Sequence, residues 1–315
     1  MLTVAAVGAA VASGPDREPP AVLASPAAPV SAVSAVSSRA PTDPLHPGAA
    51  AHRGGRRPPL PAAPVTPVPG REDWVDLGVG AGDPCWTPPD VGPLVVCARP
   101  TAGPPRRRVV VVGDSHSQQY AGALEETARV RGWQVLSILR GACPFSTASE
   151  TVPGSPGCVA WNAAAIAEIV RMRPDAVLTT ATRDARPGLT ESTPPGFVAA
   201  WRALGRAGIP VLAVRDNPRF ATAPAACVAA HGQDAPACGV PRAAVLAPAA
   251  PYRLLPDVPP TVSFLDVGDY LCGPVTCPPV VGNVLVYADD NHLSATFTRT
   301  LAPVLADRLV PIVER

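Results

Sequence analysis

Two short polar stretches, GDSHS at 113–117 and DDNHLS at 289–294, contain residue types that could support nucleophilic catalysis. The first follows a run of four valines, so Ser115 would stand where a buried strand turns into a helix. A serine hydroxyl is a weak nucleophile at neutral pH unless a base lies within hydrogen-bonding reach. The free N–H groups at the start of a helix would also favour negative charge beside it. Ser115 is therefore a candidate nucleophile that needs a base from elsewhere in the chain.

His292 is the histidine best placed to be that base. Among the five histidines, His46 and His52 lie in a proline-rich segment and His231 lies in a Pro/Ala-rich loop. His116 directly follows the serine, and we expect it to point elsewhere because adjacent helical residues do not share a face. His292 instead lies in a polar loop between an apolar run and the last predicted helix, which Ser294 is suited to cap.

Asp289 precedes His292 by three residues, and a tight turn at this spacing can bring its carboxylate onto the imidazole. Such a carboxylate holds the required tautomer and stabilises the imidazolium that forms during proton transfer. We expect Asp289 to do this, and the adjacent Asp290 to point away along the turn. DDNH alone would indicate an ordinary polar turn, but together with GDSH it favours a catalytic site.

Strands and helices alternate along the chain in an order that would carry these stretches to one edge of a sheet. The predicted strands are Arg108–Val112, Gln134–Leu139, Ala176–Thr180, Pro210–Val214 and one near Val262–Leu265, and helices are predicted over 117–132, 158–173 and 294–313. Short β-branched runs alternating with helices are typical of a parallel sheet covered on both faces. We therefore predict an α/β fold of three layers, α/β/α, around a central parallel sheet. Ligands of such sheets bind at the carboxyl ends of the strands, where GDSHS lies.

Composition divides the chain into three segments. Residues 1–13 are apolar but too short to span a bilayer, so they are interpreted either as a weak export signal or as the tail of a transmembrane helix. Residues 14–72 contain no aromatic residue and are rich in Pro, Ala, Ser and Val, which predicts a linker. Residues 73–315 contain every aromatic residue and every cysteine, which predicts one domain. We accordingly expect that residues up to about Gly70 can be removed without loss of the fold.

The eight cysteines fall into four close sequential pairs: Cys85 with Cys97, Cys143 with Cys158, Cys227 with Cys238, and Cys272 with Cys277. An even number of cysteines, paired around loops rich in Pro and Gly, favours disulfides. Disulfides in turn indicate an oxidising compartment outside the cytosol. None of the cysteines forms a Cys/His zinc pattern, and we expect neither a metal nor a cofactor.

Two classes of function are disfavoured by the sequence. The formal net charge is +1 and no basic stripe is present, which argues against a nucleic-acid partner. GDSH is also similar to the GDxH motif of metallophosphoesterases, but the other ligand motifs of that class, such as GNH with a following acid, are missing.

The two polar stretches carry a family resemblance. GDSHS around Ser115 and DDNHLS through His292 resemble the first and last blocks of the SGNH hydrolase superfamily. More narrowly, the chain is similar to the extracytoplasmic SGNH domain fused behind the acyltransferase-3 membrane domain. The proline-rich stretch after a hydrophobic segment, a cysteine pair ahead of the first strand and CPF after the second strand agree with this. The resemblance covers roughly Cys85 to the last residue and implies a flavodoxin-like fold.

The resemblance implies a role for each residue of the two blocks. It implies Ser115 as nucleophile, His292 as general base and Asp289 as the partner that orients the base. Asp114 would be structural, holding the turn through nearby backbone amides. The oxyanion donors implied are the backbone N–H of Ser115 and the N–H of Gly141.

The chain departs from the superfamily in the third block, which usually supplies an asparagine from a GxND-like turn. Here the third strand runs DAVLTTATRDAR, without an asparagine. Thr182 or Arg183 could occupy that position. Asn217 in VRDNPRF is a further candidate, and a plain turn is the alternative interpretation of that stretch.

The resemblance implies an extracytoplasmic serine esterase or O-acyltransferase that passes through an acyl-Ser115 intermediate. Its substrates would be O-acyl groups, acetyl above all, of a cell-envelope glycan. The expected partners are a glycan or other acyl acceptor and an acyltransferase-3 membrane domain, upstream or in trans. The alternative is a catalytically impaired carbohydrate-binding or scaffold domain. Retention of Ser115, Asp289 and His292 together argues against that alternative.

Overall fold

A computed structural model describes residues 43–55, 63–69, 73–89, 91–92, 94–151, 154–233 and 235–315. The predicted hydrophobic segment at 1–13 lies outside the described residues, as do residues 14–42 of the predicted linker. Residues Ser38–Arg315 form one compact unit. In the described ranges, no helix is both long enough and apolar enough to cross a membrane.

The described strands are β1 (Cys85–Trp86), β2 (Val96–Ala98), β3 (Arg107–Gly113), β4 (Trp133–Leu139), β5 (Ala176–Thr180), β6 (Val211–Val214), β7 (Val240–Pro241), β8 (Val262–Leu265), β9 (Thr276–Cys277), β10 (Val280–Val281) and β11 (Val284–Leu285). The described α-helices are α1 (Ser115–Gln118), α2 (Ala121–Arg131), α3 (Pro156–Met172), α4 (Pro195–Arg206), α5 (Pro224–His231), α6 (Arg242–Val245), α7 (Gly268–Leu271), α8 (Ala295–Thr300) and α9 (Ala302–Val313). Short 3₁₀ helices span Gly48–Gly55, Pro236–Cys238 and Pro251–Leu254.

The main sheet of the described residues has seven strands in the order β1-β2-β4-β3-β5-β6-β8. The five strands from β4 to β8 in this order pair in parallel. Numbered along the chain, these five follow the order 2-1-3-4-5 of flavodoxin-like folds. The predicted three-layer α/β/α fold is confirmed. At one edge, β2 pairs antiparallel with β4, and β1 pairs antiparallel with β2. The sequence did not indicate these two strands because they are too short to show a period.

The valines of β3 pack on both faces of the sheet. Val109 and Val111 belong to the core formed with α2, α8 and α9, whereas Val110 and Val112 belong to the core formed with α3 and α4. All four side chains are fully buried. This two-sided burial explains why the strand is continuously apolar rather than alternating.

The predicted helices form, and two of them are divided. The first becomes α1 and α2, and α2 ends at Gly132, whose φ of 68° suits glycine. The last becomes α8 and α9. Ser294 caps α8 by accepting a hydrogen bond from the N–H of Phe297, as predicted. Pro303 lies in the first turn of α9, where its missing N–H costs no hydrogen bond, so a second helix starts there.

The predicted linker at 14–72 needs correction in the part that the structure describes. Ala49 and Ala51 are buried, and the N–H of Ala49 donates to the hydroxyl of Thr300 in α8 at 2.9 Å. The main chain of Thr66 exchanges hydrogen bonds with residues 283 and 285 beside β11. Small side chains allow this close approach, so the lack of aromatic residues did not prevent docking. Residues before position 73 therefore pack on the domain, which argues against the expectation that residues up to Gly70 can be removed without loss of the fold.

The four predicted disulfides are confirmed. Cys85–Cys97 joins β1 to β2, and Cys143–Cys158 joins the turn after β4 to α3. Cys227–Cys238 joins α5 to the following 3₁₀ helix, and Cys272–Cys277 closes the short loop before β10.

Candidate active site

The turn at the end of β3 places Ser115 at the first position of α1. Gly113 has a φ of 131°, and a Cβ there would lie 2.5 Å from Oγ of Ser117, so the turn requires glycine. Asp114 is the N-cap of α1, and its carboxylate accepts a hydrogen bond from the N–H of His116 at 3.0 Å. The Asp114 contact is of the kind expected from the sequence, a bond to a nearby backbone amide.

The loop before α8 brings His292 to Ser115. The hydroxyl of Ser115 donates to Nε2 of His292 at 2.8 Å. Nδ1 of His292 donates to Oδ2 of Asp289 at 2.6 Å. The other oxygen of Asp289 accepts from the N–H groups of Asn291 and His292 at 2.8 and 2.7 Å. An unbroken chain of hydrogen bonds thus runs from the serine to the carboxylate.

The environment of Asp289 favours its charged form. Burial alone would raise the pKa of this carboxyl, but the hydrogen bond from His292 and those from the two backbone N–H groups lower the pKa to about 2. The group is therefore ionised throughout the neutral range and holds the proton of His292 on Nδ1.

Asp290 makes different contacts from Asp289. Its carboxylate accepts from Nδ2 of Asn291 at 2.6 Å, and its carbonyl oxygen accepts from the N–H of Phe220 at 2.7 Å. Neither of these two contacts involves His292. The placement of the two aspartates follows the expectation from spacing.

A cavity of about 400 Å³ opens beside Ser115 and His292. Its lining includes Ala142, whose φ is 55°, whereas Gly141 lies outside the lining. The structure therefore brings Ala142, and not the predicted Gly141, to the cavity. In the described residues, no group of three or more His, Cys, Asp or Glu side chains is arranged to hold a metal ion.

Thr182 lines the cavity, but its hydroxyl is committed elsewhere. It donates to Oε1 of Glu191 at 2.7 Å and accepts from the N–H of Asp216 at 2.9 Å. Because a hydroxyl has one proton, Thr182 has none left for an oxyanion in this arrangement. Arg183 also lines the cavity, with its guanidinium held by Asp184 and by the carbonyl oxygen of Glu150.

Asn217 supports the loop of His292 rather than facing the cavity. Its Nδ2 donates to the carbonyl oxygen of Asn291 at 2.7 Å, and its Oδ1 accepts from Gln119 at 2.8 Å. Gln119 in turn accepts from the N–H of Leu293 at 2.8 Å. Both ends of the buried Asn217 amide are thus engaged, which gives this residue a structural contact that the sequence did not predict.

Two features of the site were not predicted from the sequence. His116 lies beside His292, with ring centroids 4.9 Å apart, and bonds to Asp216 after β6. The position of Asp216 at the carboxyl end of a parallel strand was the available signal. Trp74 contacts His292 edge to face, with ring centroids 4.8 Å apart. Its neighbour Asp73 anchors it by accepting from the N–H of Ala295 and Thr296.

A family model and a solved structure are similar to this chain. A family model described as "SGNH domain (fused to AT3 domains)" matches residues 83–307. Among solved structures, the chain is similar to the lipopolysaccharide acetyltransferase periplasmic domain of Salmonella ser. Paratyphi A, at 14% sequence identity and a TM-score of 0.48. That likeness covers 65% of this chain and 84% of the other. No curated protein matches the chain.

Proposed function

Because the chain belongs to the family of SGNH domains that are fused to acyltransferase-3 domains, we propose that it is a serine esterase or O-acyltransferase. The observation that carries this proposal is the hydrogen-bond chain from Ser115 through His292 to Asp289. This order of hydroxyl, imidazole and carboxylate supports roles for the three residues as nucleophile, base and orienting group in acyl transfer.

The reaction begins when Oγ of Ser115 attacks the carbonyl carbon of an ester and its proton moves to Nε2 of His292. Asp289 stabilises the imidazolium so formed. The tetrahedral intermediate collapses, His292 returns the proton to the leaving alcohol oxygen, and the acyl group stays on Ser115. His292 then takes a proton from water or from an acceptor hydroxyl, whose oxygen attacks the acyl carbon. As this second intermediate collapses, the bond to Oγ of Ser115 breaks, His292 returns the proton to that oxygen, and the acid or the new ester is released.

The negative oxygen of the intermediate needs donors that already point to it. We assign one to the backbone N–H of Ser115, which stands at the first position of α1. A second is assigned to the N–H of Ala142, since Ala142 lines the cavity and Gly141 does not. Thr182 is not assigned this role, because its hydroxyl proton is bonded to Glu191.

We further propose an extracytoplasmic location and an O-acyl substrate, acetyl above all, on a cell-envelope glycan. Four disulfides support an oxidising compartment. The family description supports an acyltransferase-3 domain, in the same chain or in trans, as the partner that delivers acyl groups. The cavity of about 400 Å³ beside Ser115 supports a substrate of the size of an acyl group with part of a sugar.

A chromogenic acetyl ester and a serine-reactive fluorophosphonate test the proposal. The wild-type protein is expected to hydrolyse 4-nitrophenyl acetate, with or without a chelator, and to be labelled at Ser115. Ser115→Ala should lose both the labelling and the hydrolysis. A folded wild-type protein that is neither labelled nor active would favour the alternative of a noncatalytic carbohydrate-binding domain.

A further inference from the structure

A second histidine–aspartate pair lies next to the proposed triad. His116 is only 5% exposed, and its Nδ1 lies 2.7 Å from Oδ1 of Asp216. Its Nε2 lies 3.0 Å from Oδ1 of Asn291, in the same turn as Asp289 and His292. His116 also lines the cavity beside Ser115. The mechanism proposed above does not use this pair.

The contacts of His116 determine how many protons its ring carries. The carboxylate of Asp216 can only accept a hydrogen bond at Nδ1. At Nε2, the amide of Asn291 presents its oxygen, because its nitrogen donates to the carboxylate of Asp290 at 2.6 Å. Both ring nitrogens of His116 therefore face acceptors, and a ring that donates from both carries two protons and a positive charge.

The charged groups around His116 agree with that state. Burial alone would lower the pKa of His116, but the charge and hydrogen bond of Asp216 raise the pKa above its usual value. Arg219, which donates to the other oxygen of Asp216 at 3.1 Å, lowers the pKa of His116, and Asp114 raises it. From the remaining side, His292 faces the ring, and Asp290 acts on it through Asn291.

We infer that His116, held as an imidazolium between Asp216 and Asn291, is a positioning residue for the reaction at Ser115. This inference rests on the proposed function. By donating to Asn291, His116 fixes the turn whose backbone N–H groups orient Asp289. Its positive charge also stands beside the cavity, where it lowers the energy of negative charge that develops on the attacked carbonyl oxygen.

The protonation state is tested first, without reference to activity. Nitrogen-15 NMR of the histidine rings in the full chain should show both nitrogens of His116 protonated at pH 7.5, with the resonance assigned from its loss in His116→Gln. In Asp216→Asn the ring should lose its proton at a lower pH than in the wild type. A singly protonated His116 in the wild type at pH 7.5 would overturn the inference, whether or not the chain is an esterase.

The effect on the reaction is tested with 4-nitrophenyl acetate. His116→Gln should lower kcat on the order of tenfold to a hundredfold while KM changes little, because the lost interaction acts mainly in the transition state.

A group whose pKa is raised by folding is protonated below that pKa and loses its proton as the pH rises through it. The wild-type rate should therefore fall on the alkaline side, and this fall should move to lower pH in Asp216→Asn and be absent in His116→Gln.

His231→Gln is the matched control, since His231 is an exposed histidine at the end of α5. It should keep the wild-type kcat and pH profile. A His116→Gln variant that keeps the wild-type kcat and alkaline fall would contradict the inference and leave the proposed function intact. If His116→Gln does not fold, the Asp216→Asn profile decides: an unmoved alkaline fall overturns the inference. If the wild type shows neither turnover nor labelling, the proposed function fails. The NMR titration of the His116 ring still tests whether that ring is positively charged.

Discussion

Ser115 and His292 form one chemical unit, because the serine hydroxyl donates directly to Nε2 of the histidine. We expect Ser115→Ala and His292→Ala each to remove nearly all esterase activity. The double variant should be no worse than either single variant, since the losses of residues that act as a unit do not add. Initial rates with a chromogenic acetyl ester measure this. A Ser115→Ala protein with full activity would contradict the whole acyl-transfer proposal.

The two aspartates of DDNH should differ sharply in their effect on the rate. Asp289→Asn removes the partner of Nδ1 and should lower kcat by about ten- to ten-thousand-fold, the upper end applying if the wrong tautomer is favoured. Asp290→Asn should cost little, because an asparagine oxygen can still accept from Asn291. Circular dichroism of both variants controls for a lost turn. The reverse order of damage would show that Asp290, and not Asp289, serves His292.

The lowered pKa of Asp289 predicts how the free energy of unfolding depends on pH. Folding lowers the pKa of this carboxyl from 3.8 to about 2, so the folded state favours its ionised form. The resulting stabilisation is present above the unfolded pKa and disappears as the pH falls through the folded value. The melting temperature of wild type should exceed that of Asp289→Asn at pH 6, and the difference should shrink between pH 4 and pH 2. A difference that is independent of pH would contradict this account.

At the scale of elements, segment 43–69 should contribute to stability through its described parts, 43–55 and 63–69. A chain that begins at residue 70 loses the buried Ala49 and Ala51 and the main-chain bonds of Thr66. Its melting temperature should fall by about 5 °C or more relative to a chain that begins at residue 43. Equal melting temperatures for the two chains would restore the interpretation of this segment as a linker.

The physics of the elements explains which of them could be predicted. Buried parallel strands such as β3 and β5 are short stretches rich in β-branched residues, and their predicted bounds agree with the structure to within one residue. Segment 43–69 was missed because it docks through alanines and main-chain hydrogen bonds, which leave no hydrophobic period. A segment that is too poor in large apolar residues to fold alone can therefore still pack on the surface of a folded domain.

In the candidate site, too, some contacts could be predicted from the sequence and others could not. Asp289 and His292 contact within one turn, so their three-residue spacing sufficed to predict the contact. His116 and Asp216 are 100 residues apart, and only the strand order brings them together. Thr182 donates its hydroxyl proton to Glu191, which lies nine residues later in a loop. No pattern in the sequence indicated this hydrogen bond.

At the scale of the whole molecule, two of the disulfides offer a matched comparison. Cys143–Cys158 and Cys227–Cys238 span 15 and 11 residues, so their entropic stabilisation should be similar, on the order of 3 kcal/mol each. Cys143 follows Ala142 in the turn that lines the cavity, whereas Cys227 and Cys238 lie outside that lining. Replacing either pair by serines should lower the melting temperature.

Only the loss of Cys143–Cys158 should also lower kcat, because it frees the turn to which the second oxyanion donor is assigned. Melting curves and esterase rates of the two double-serine variants provide the comparison. Nonreducing peptide mapping of the wild type controls for the pairing. Equal kcat values for both variants and the wild type would remove Ala142 from the proposed mechanism.

The wide separation of Ser115 and His292, 177 residues along the chain, has a consequence for the protein during its synthesis. The ribosome releases the serine, its strand and its helix well before the histidine has been made. Until the loop of His292 and the helices that hold it have been added, the hydroxyl of Ser115 has no base and remains a weak nucleophile. The proposed nucleophile therefore acquires its base only after the loop of His292 has been made and has folded against it.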